Sequence, residues 1–184
     1  LLEGLFDSDY KKNIPLFPSK IGIVTSLDGS VIKDIINISK RRSSSVDLVL
    51  SPSSVQGSSA PDEIMVALKK LEEYNEKDNL DIIIIARGGG SFEDLHCFNN
   101  ELLARKVFKC NIPIISAIGH ETDFTILDFV SDVRASTPSE AAELSVPDDN
   151  ETIQSLDLIN NKILKSIIFK IDKYKEKYNL LNAQ

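Results

Sequence analysis

The stretch Asp81-Ile82-Ile83-Ile84-Ile85-Ala86-Arg87-Gly88-Gly89-Gly90-Ser91 decides the fold. Four consecutive isoleucines leave no polar face, so a strand built from them has to be covered on both sides. That is the situation of a parallel sheet lying between two layers of helices. The strand then runs directly into a cation and three glycines. Glycine lets the backbone approach a ligand closely, and successive N–H groups can converge on an anion. A tight strand-to-helix turn without any ligand is the plainer reading of the same residues.

Three further apolar runs, Ile21–Thr25, Val46–Leu50 and Ile112–Ile118, are equally short and rich in β-branched residues. The segments between them have helical spacing. Val31, Ile35 and Ile38 form one stripe; Ile64, Ala67, Leu68 and Leu71 form a second, after the start signal Pro61-Asp62-Glu63. A third runs from Asn99 to Phe108, with Leu102, Leu103 and Val107 apolar. The alternation predicts an α/β domain with a doubly wound, open parallel sheet of about four core strands, Rossmann- or flavodoxin-like. Residues 1–20 read as a lead-in segment, 21–148 as the α/β domain and 149–184 as a helical extension.

In the extension Leu156, Ile159, Ile163, Ile167, Ile171, Tyr174, Tyr178 and Leu181 recur three and four apart, and neither Gly nor Pro follows Pro147. A continuous helix over residues 151–184 would reach about 50 Å, which is long for covering one small sheet. It reads either as a terminal helix folded back on its own domain or as the start of a coiled coil. In the second case a partner helix or another copy of the chain would associate through it.

The composition is that of an ordinary globular protein, with 42% hydrophobic and 27% charged residues. No apolar run approaches the roughly 20 residues of a membrane span. The opening Leu1-Leu2-Glu3-Gly4 lacks the basic start of a signal peptide and reads as a cut edge. Cys97 and Cys110 are too few for a disulfide framework, so a reducing cytoplasm is the expected compartment. With 21 basic and 28 acidic residues the net charge is −7, which at face value argues against nucleic acid. The deficit is regional: 51–100 and 101–150 each carry −5, whereas 1–50 carries +1 and 151–184 carries +2. Asp62, Glu63, Glu72, Glu73, Glu76 and Asp78 lie in or just after one amphipathic helix, on its solvated face. Bulk charge therefore says little about the site.

Ligands of such sheets bind beyond the carboxyl ends of the strands. The loops at those ends are small, polar or charged here: Ser26-Leu27-Asp28-Gly29-Ser30; Ser51 to Ser54, leading to Gln56-Gly57; Arg87 to Ser91; and Gly119-His120-Glu121-Thr122-Asp123. Arg87, Gly88, Gly89, Gly90 and Ser91 form a candidate phosphate-binding turn. His120, with Asp123 three residues on, suits a general acid or base held in one tautomer by a carboxylate. The only other histidine is His96, and no Cys/His cluster accompanies it, which argues against a zinc site. Mg²⁺ needs only one or two carboxylates plus substrate phosphates, so Asp123 is a candidate metal ligand. Asp34, about one turn into the first helix, is a candidate site residue or simply a solvated one. Arg134 would hold a phosphate or pair with Asp128 or Asp132. Lys40-Arg41-Arg42 suits the C-terminus of the first helix.

Beyond these readings, the chain resembles the large subunits of bacterial exodeoxyribonuclease VII. The matching residues include Gly4-Leu5-Phe6-Asp7, Pro15-Leu16-Phe17-Pro18, Val55-Gln56-Gly57, Arg87-Gly88-Gly89-Gly90-Ser91-Phe92-Glu93-Asp94 and Phe98-Asn99. They continue through Ile112 to Asp123, Asp128-Phe129-Val130 and Ala141-Ala142-Glu143-Leu144. The resemblance implies a nuclease that degrades single-stranded DNA from both ends to short oligonucleotides, together with a small helical partner subunit. Carried over, its essential groups are Asp34, Arg87, His120 and Asp123, and Mg²⁺ is a candidate cofactor. Three positions depart from the family pattern: Leu27-Asp28 for Pro-Thr, His96 for Trp, and Ser136 for Pro. The family's chain also has an OB-fold domain and a full coiled coil, so this sequence looks like a central fragment. Two rival functions remain from the residues alone, a non-catalytic phosphate-binding module and a coiled-coil scaffold.

Overall fold

A computed structural model describes residues 3–89, 92–120 and 122–182. Five strands, β1 (Lys20–Thr25), β2 (Asp47–Pro52), β3 (Ile82–Ala86), β4 (Ile114–Ala117) and β5 (Val133–Arg134), form one parallel sheet in the order β2-β1-β3-β4-β5. The fifth strand goes beyond the four apolar runs. It is only two residues long and one of them is Arg134, so no run of β-branched residues announces it.

The isoleucine run does what its composition requires. Ile82 and Ile84 face one layer of the core, with α1 (Ser30–Arg42) and α5 (Pro138–Ser145). Ile83 and Ile85 face the other, with α2 (Ala60–Asn75), α3 (Glu101–Lys109) and α4 (Ile126–Val130). All four are fully buried. The expected stripe on α2 is buried throughout. Gly22 belongs to the same packing, because a Cβ there would sit 3.1 Å from Leu71 and 3.3 Å from Ile83. On α3 the reading needs one correction: Leu102 is 65% exposed, and Ala104 takes its place beside Leu103 and Val107. Asn100 caps the helix at the Leu103 N–H. Leu103 and Val107 lie four apart on the buried face, and Leu102, about 100° round the helix from Leu103, falls on the solvent side.

After the glycine turn the chain forms a 3₁₀ helix, Phe92–Asn99, that leads into α3. The basic triplet closing α1 reaches sideways to α5: Arg42 Nε donates to the Val146 carbonyl (2.8 Å), and Arg41 lies 3.7 Å from Glu143.

The lead-in residues belong to this same compact unit, which runs from Leu1 to Pro147. The Lys12 N–H and ammonium both donate to Asp132 Oδ1 (2.7 and 3.0 Å), while Asp132 Oδ2 accepts the Ile114 N–H (2.7 Å). One carboxylate thus joins the lead-in to the start of β4. The second unit, Asp148–Gln184, is dominated by a single helix, α6 (Asp149–Asn182), about 50 Å long at 1.5 Å per residue. Its apolar side chains are substantially exposed, Ile163 by 53% and Ile167 by 48%. Among the described residues no helix is long and apolar enough to cross a membrane.

Candidate active site

The strand order reverses between β1 and β3: the chain leaves β1 for β2 on one side and returns to β3 on the other. In open α/β sheets that reversal opens a crevice at the carboxyl edge. A cleft of about 440 Å³ lies there, lined among others by Ser26, Ser30, Gln56, Arg87, Gly88 and Gly89. The loop from β1 to α1 is tightly folded, since a Cβ on Gly29 would lie 2.7 Å from Ser26 Oγ. Gly29 is the N-cap of α1, which has no side-chain cap among the described residues and no acidic residue in its first turn. The positive end of its dipole is therefore open to an anion at this cleft.

Arg87 ends β3. Its N–H donates to the Ala117 carbonyl (3.0 Å), which ties the ends of β3 and β4 together. Its side chain is 5% exposed, and Nη2 lies 3.3 Å from Asp94 Oδ2 in the 3₁₀ segment. A guanidinium this deeply buried is held in place by its surroundings before any ligand arrives. Gly88 and Gly89 differ in what they tolerate. A Cβ on Gly88 would come within 3.2 Å of Val31, whereas one on Gly89 would meet nothing within 4 Å. The fold itself therefore does not require glycine at position 89. Gly89→Val should melt at the wild-type temperature while weakening the binding of inorganic phosphate, because the new side chain would occupy the cleft. A phosphate titration run beside a melting curve checks this. Gly90 and Ser91 lie outside the described residues.

Beyond β4 the backbone turns sharply. The Asp123 N–H donates to the His120 carbonyl (2.9 Å), and a Cβ on Gly119 would sit 2.1 Å from the Asp123 carbonyl oxygen. The His120 side chain is exposed and Asp123 is half-buried. Among the described residues no hydrogen bond joins the imidazole to the Asp123 carboxylate; Thr122 Oγ1 donates to Asp123 Oδ1 instead (3.3 Å). The spacing of three thus makes a backbone turn here and not a His–Asp pair. Downstream the turn is anchored by a capping box on α4, in which Thr125 accepts from the Asp128 N–H and Asp128 accepts from Thr125. Ser116 of β4 donates to the same buried carboxylate.

Arg134 lies on β5, opposite Ser116. It pairs with neither Asp128 nor Asp132, which are taken by the bonds above. Instead Nη2 donates to the His120 carbonyl (2.6 Å) and, at 3.5 Å, to that of Asp123. Its guanidinium also lies 4.0 Å from the Phe124 ring centroid. It braces the loop that carries His120. Asp34 sits on the exposed side of α1 and does not line the cleft. No ion pair or hydrogen bond of its side chain occurs among the described residues.

The structure therefore joins Arg87, Gly88 and Gly89 in one cleft, with the His120–Asp123 turn and Arg134 gathered at the neighbouring strand end. Ser26, Ser30, Gln56 and Asp94 join the site although their residue types alone do not single them out. The first three are visible in the sequence only as small polar residues at the strand ends. Cys97 is no rival nucleophile, since burial pushes its thiol up from the ordinary range. Among the described residues no three His, Cys, Asp or Glu side chains cluster, so a divalent cation would depend on one or two carboxylates, Asp123 among them, plus water and substrate oxygens.

The profile of the family described as "Exonuclease VII, large subunit" matches residues 5–184. The chain belongs to that family. It is 52% identical over 182 residues to a protein of Ruminiclostridium cellulolyticum named "Exodeoxyribonuclease 7 large subunit", covering 99% of this chain and 44% of the relative. Relatives of the same name in Clostridium botulinum (53% identical, 92% of this chain and 41% of the relative) and Caldanaerobacter subterraneus (56%, 88% and 39%) are similar to it as well. The chain thus spans less than half the length of the relatives it matches. The family match includes the β3 and β4 carboxyl ends and extends through α6.

Proposed function

We propose that this chain carries the catalytic site of an exodeoxyribonuclease that hydrolyses phosphodiesters of single-stranded DNA from both ends to short oligonucleotides. The observation that carries the reading is the joining of two strand ends. One presents a buried arginine to a polar cleft, and the other presents an exposed histidine on a braced turn. The name of the relatives, "Exodeoxyribonuclease 7 large subunit", supports DNA as the substrate class.

In this reading Arg87, the Gly88 and Gly89 amides and the N-terminus of α1 hold the scissile phosphate and offset the charge that develops on it. His120 activates the attacking water or protonates the leaving oxygen. Arg134 keeps the His120 backbone in place and adds positive charge beside the phosphate. Asp123 orients water or a bound Mg²⁺ ion, whose positive charge would offset that of the phosphate. Asp34 enters this reading through the resemblance alone, since it stands on the exposed side of α1 and does not line the cleft. The exposed apolar side of α6 receives the small helical subunit, the contact expected of a large subunit with a partner. The scaffold role of α6 therefore accompanies catalysis and does not compete with it.

The test is direct. The full-length protein, assembled with its small subunit, is incubated with single strands labelled at the 5′ or the 3′ end and with the matching duplex. Short labelled products from both single strands, with the duplex resistant, are expected, and a parallel series in EDTA reads the metal requirement. Stoichiometric binding of nucleotides with no turnover would favour the phosphate-binding module instead.

A further inference from the structure

Both hydrogen bonds that Arg134 makes to the His120 turn leave from one nitrogen. Nη2 donates to the His120 carbonyl at 2.6 Å and to the Asp123 carbonyl at 3.5 Å. Nε is buried and has no hydrogen-bond partner among the described residues. A flat group held at a single atom can still turn about that atom, so these bonds do not fix the plane of the guanidinium. The Phe124 ring does, because Arg134 Cζ lies over it, 4.0 Å from its centroid. The ring supplies the second point of contact that the hydrogen bonds lack.

Phe124 is itself held. The Phe129 ring stacks on it at 5.6 Å and 22°, and Thr125, next in the chain, is locked into the α4 capping box. Phe129 in turn meets the Phe6 ring at 5.8 Å. Its carbonyl accepts the Lys11 ammonium, which also donates to the Ser131 carbonyl (2.6 Å). Contacts therefore run without a break from the lead-in through α4 to Arg134 and the His120 carbonyl. Core packing does not account for the two rings. Phe124 is 54% and Phe129 50% exposed, and neither belongs to the buried clusters on the two sides of the sheet.

We propose that Phe124 is a positioning residue of the reaction. Backed by Phe129, it sets the plane of the Arg134 guanidinium and so fixes the backbone from which the His120 imidazole projects. The proposal rests on the nuclease reading above, in which His120 moves the proton. The imidazole is exposed and, among the described residues, has no hydrogen bond to the Asp123 carboxylate, so its place depends on the backbone that carries it. A turn that loosens there lowers kcat more than it weakens binding, because the phosphate is held at Arg87 and the glycine turn.

The full-length enzyme with its small subunit is assayed on end-labelled single-stranded DNA, with melting curves on the same preparations. Phe124→Leu removes the flat face and keeps an apolar side chain. It should lower kcat roughly 10- to 100-fold, leave KM within about threefold and melt close to wild type. Phe124→Tyr keeps the face and should restore kcat. Arg134→Met should lower kcat at least as far as Phe124→Leu. Adding Phe124→Leu to it should lower kcat no further, since a residue acting through Arg134 has nothing left to hold. Wild-type kcat in Phe124→Leu would overturn the proposal. A rise in KM alone would overturn it as well, since the ring would then touch the strand, and so would losses that multiply in the double variant. Equal losses in the Leu and Tyr variants would leave the ring a matter of local fit and not of the guanidinium. Failure of the wild type to cut the strand would remove the nuclease reading itself, and this inference with it.

Discussion

Gly119→Ala should abolish cleavage and lower the melting temperature by several degrees, whereas His120→Ala should abolish cleavage with the melting temperature unchanged. The difference lies in the surroundings of each side chain. A Cβ on Gly119 would lie 2.1 Å from the Asp123 carbonyl oxygen, a backbone atom that cannot swing aside. Gly119 is not in the left-handed region, so the conflict is purely one of contact. The turn cannot relax downstream, because Thr125 and Asp128 lock α4 to Ser116 beneath it. It must open at His120, away from the Arg134 guanidinium that holds the His120 carbonyl at 2.6 Å. Such overpacking typically costs about 1–3 kcal/mol. A displacement of about 1 Å at a reacting group is worth on the order of 10² in rate. His120 itself is exposed, so its removal leaves the core untouched while removing the proposed general acid or base, a group worth roughly 10²–10⁴. Rates on end-labelled single strands, with melting curves on the same preparations, check both variants. Near-normal rates in either would take the His120 turn out of the chemistry.

The second large effect is expected at Arg87. Arg87→Lys should keep the fold and lose on the order of 10² in kcat, and Arg87→Ala about 10³. Lysine preserves the charge but not the planar fork that can hold a phosphate through two parallel bonds while keeping its contact with Asp94. The competing account makes Arg87 one half of a structural ion pair with Asp94. That account predicts a loss of stability, which should be modest. The Asp94 side chain is 34% exposed and can be rehydrated when the arginine is gone. Asp94→Asn separates the two accounts. If the pair is structural, the single and double substitutions should melt alike and leave kcat within a few fold. If Arg87 binds phosphate, kcat should fall in every variant lacking the guanidinium, with or without Asp94.

Much of this architecture is legible along the chain. Ile82–Ile85 can only be a strand covered on both faces, and the other three apolar runs set the repeat around it. The α2 stripe is equally plain, because all four of its expected positions are buried. Leu102 departs from its expected place because adjacent leucines do not by themselves say which one faces inward, and the packed sheet takes Leu103, Ala104 and Val107. The fifth strand is invisible in the sequence because two residues carry no period. Along the glycine turn the sequence points to an anion, and the cleft at the β1–β3 reversal lies beside it.

The sequence by itself therefore determined everything governed by local burial and periodicity: the buried strands, the helical faces and the edge on which the polar loops converge. The tertiary structure decided which of those polar groups meet. Arg134 touches the His120 carbonyl and the Phe124 ring, and not Asp128 or Asp132, because β5 pairs with β4 in a register that sets Arg134 opposite Ser116. Both carboxylates are committed elsewhere, Asp128 to Ser116 and Thr125, Asp132 to Lys12 and Ile114. Those bonds link residues up to 120 positions apart. No spacing rule reaches that far, since only the packed sheet brings the partners within hydrogen-bond distance.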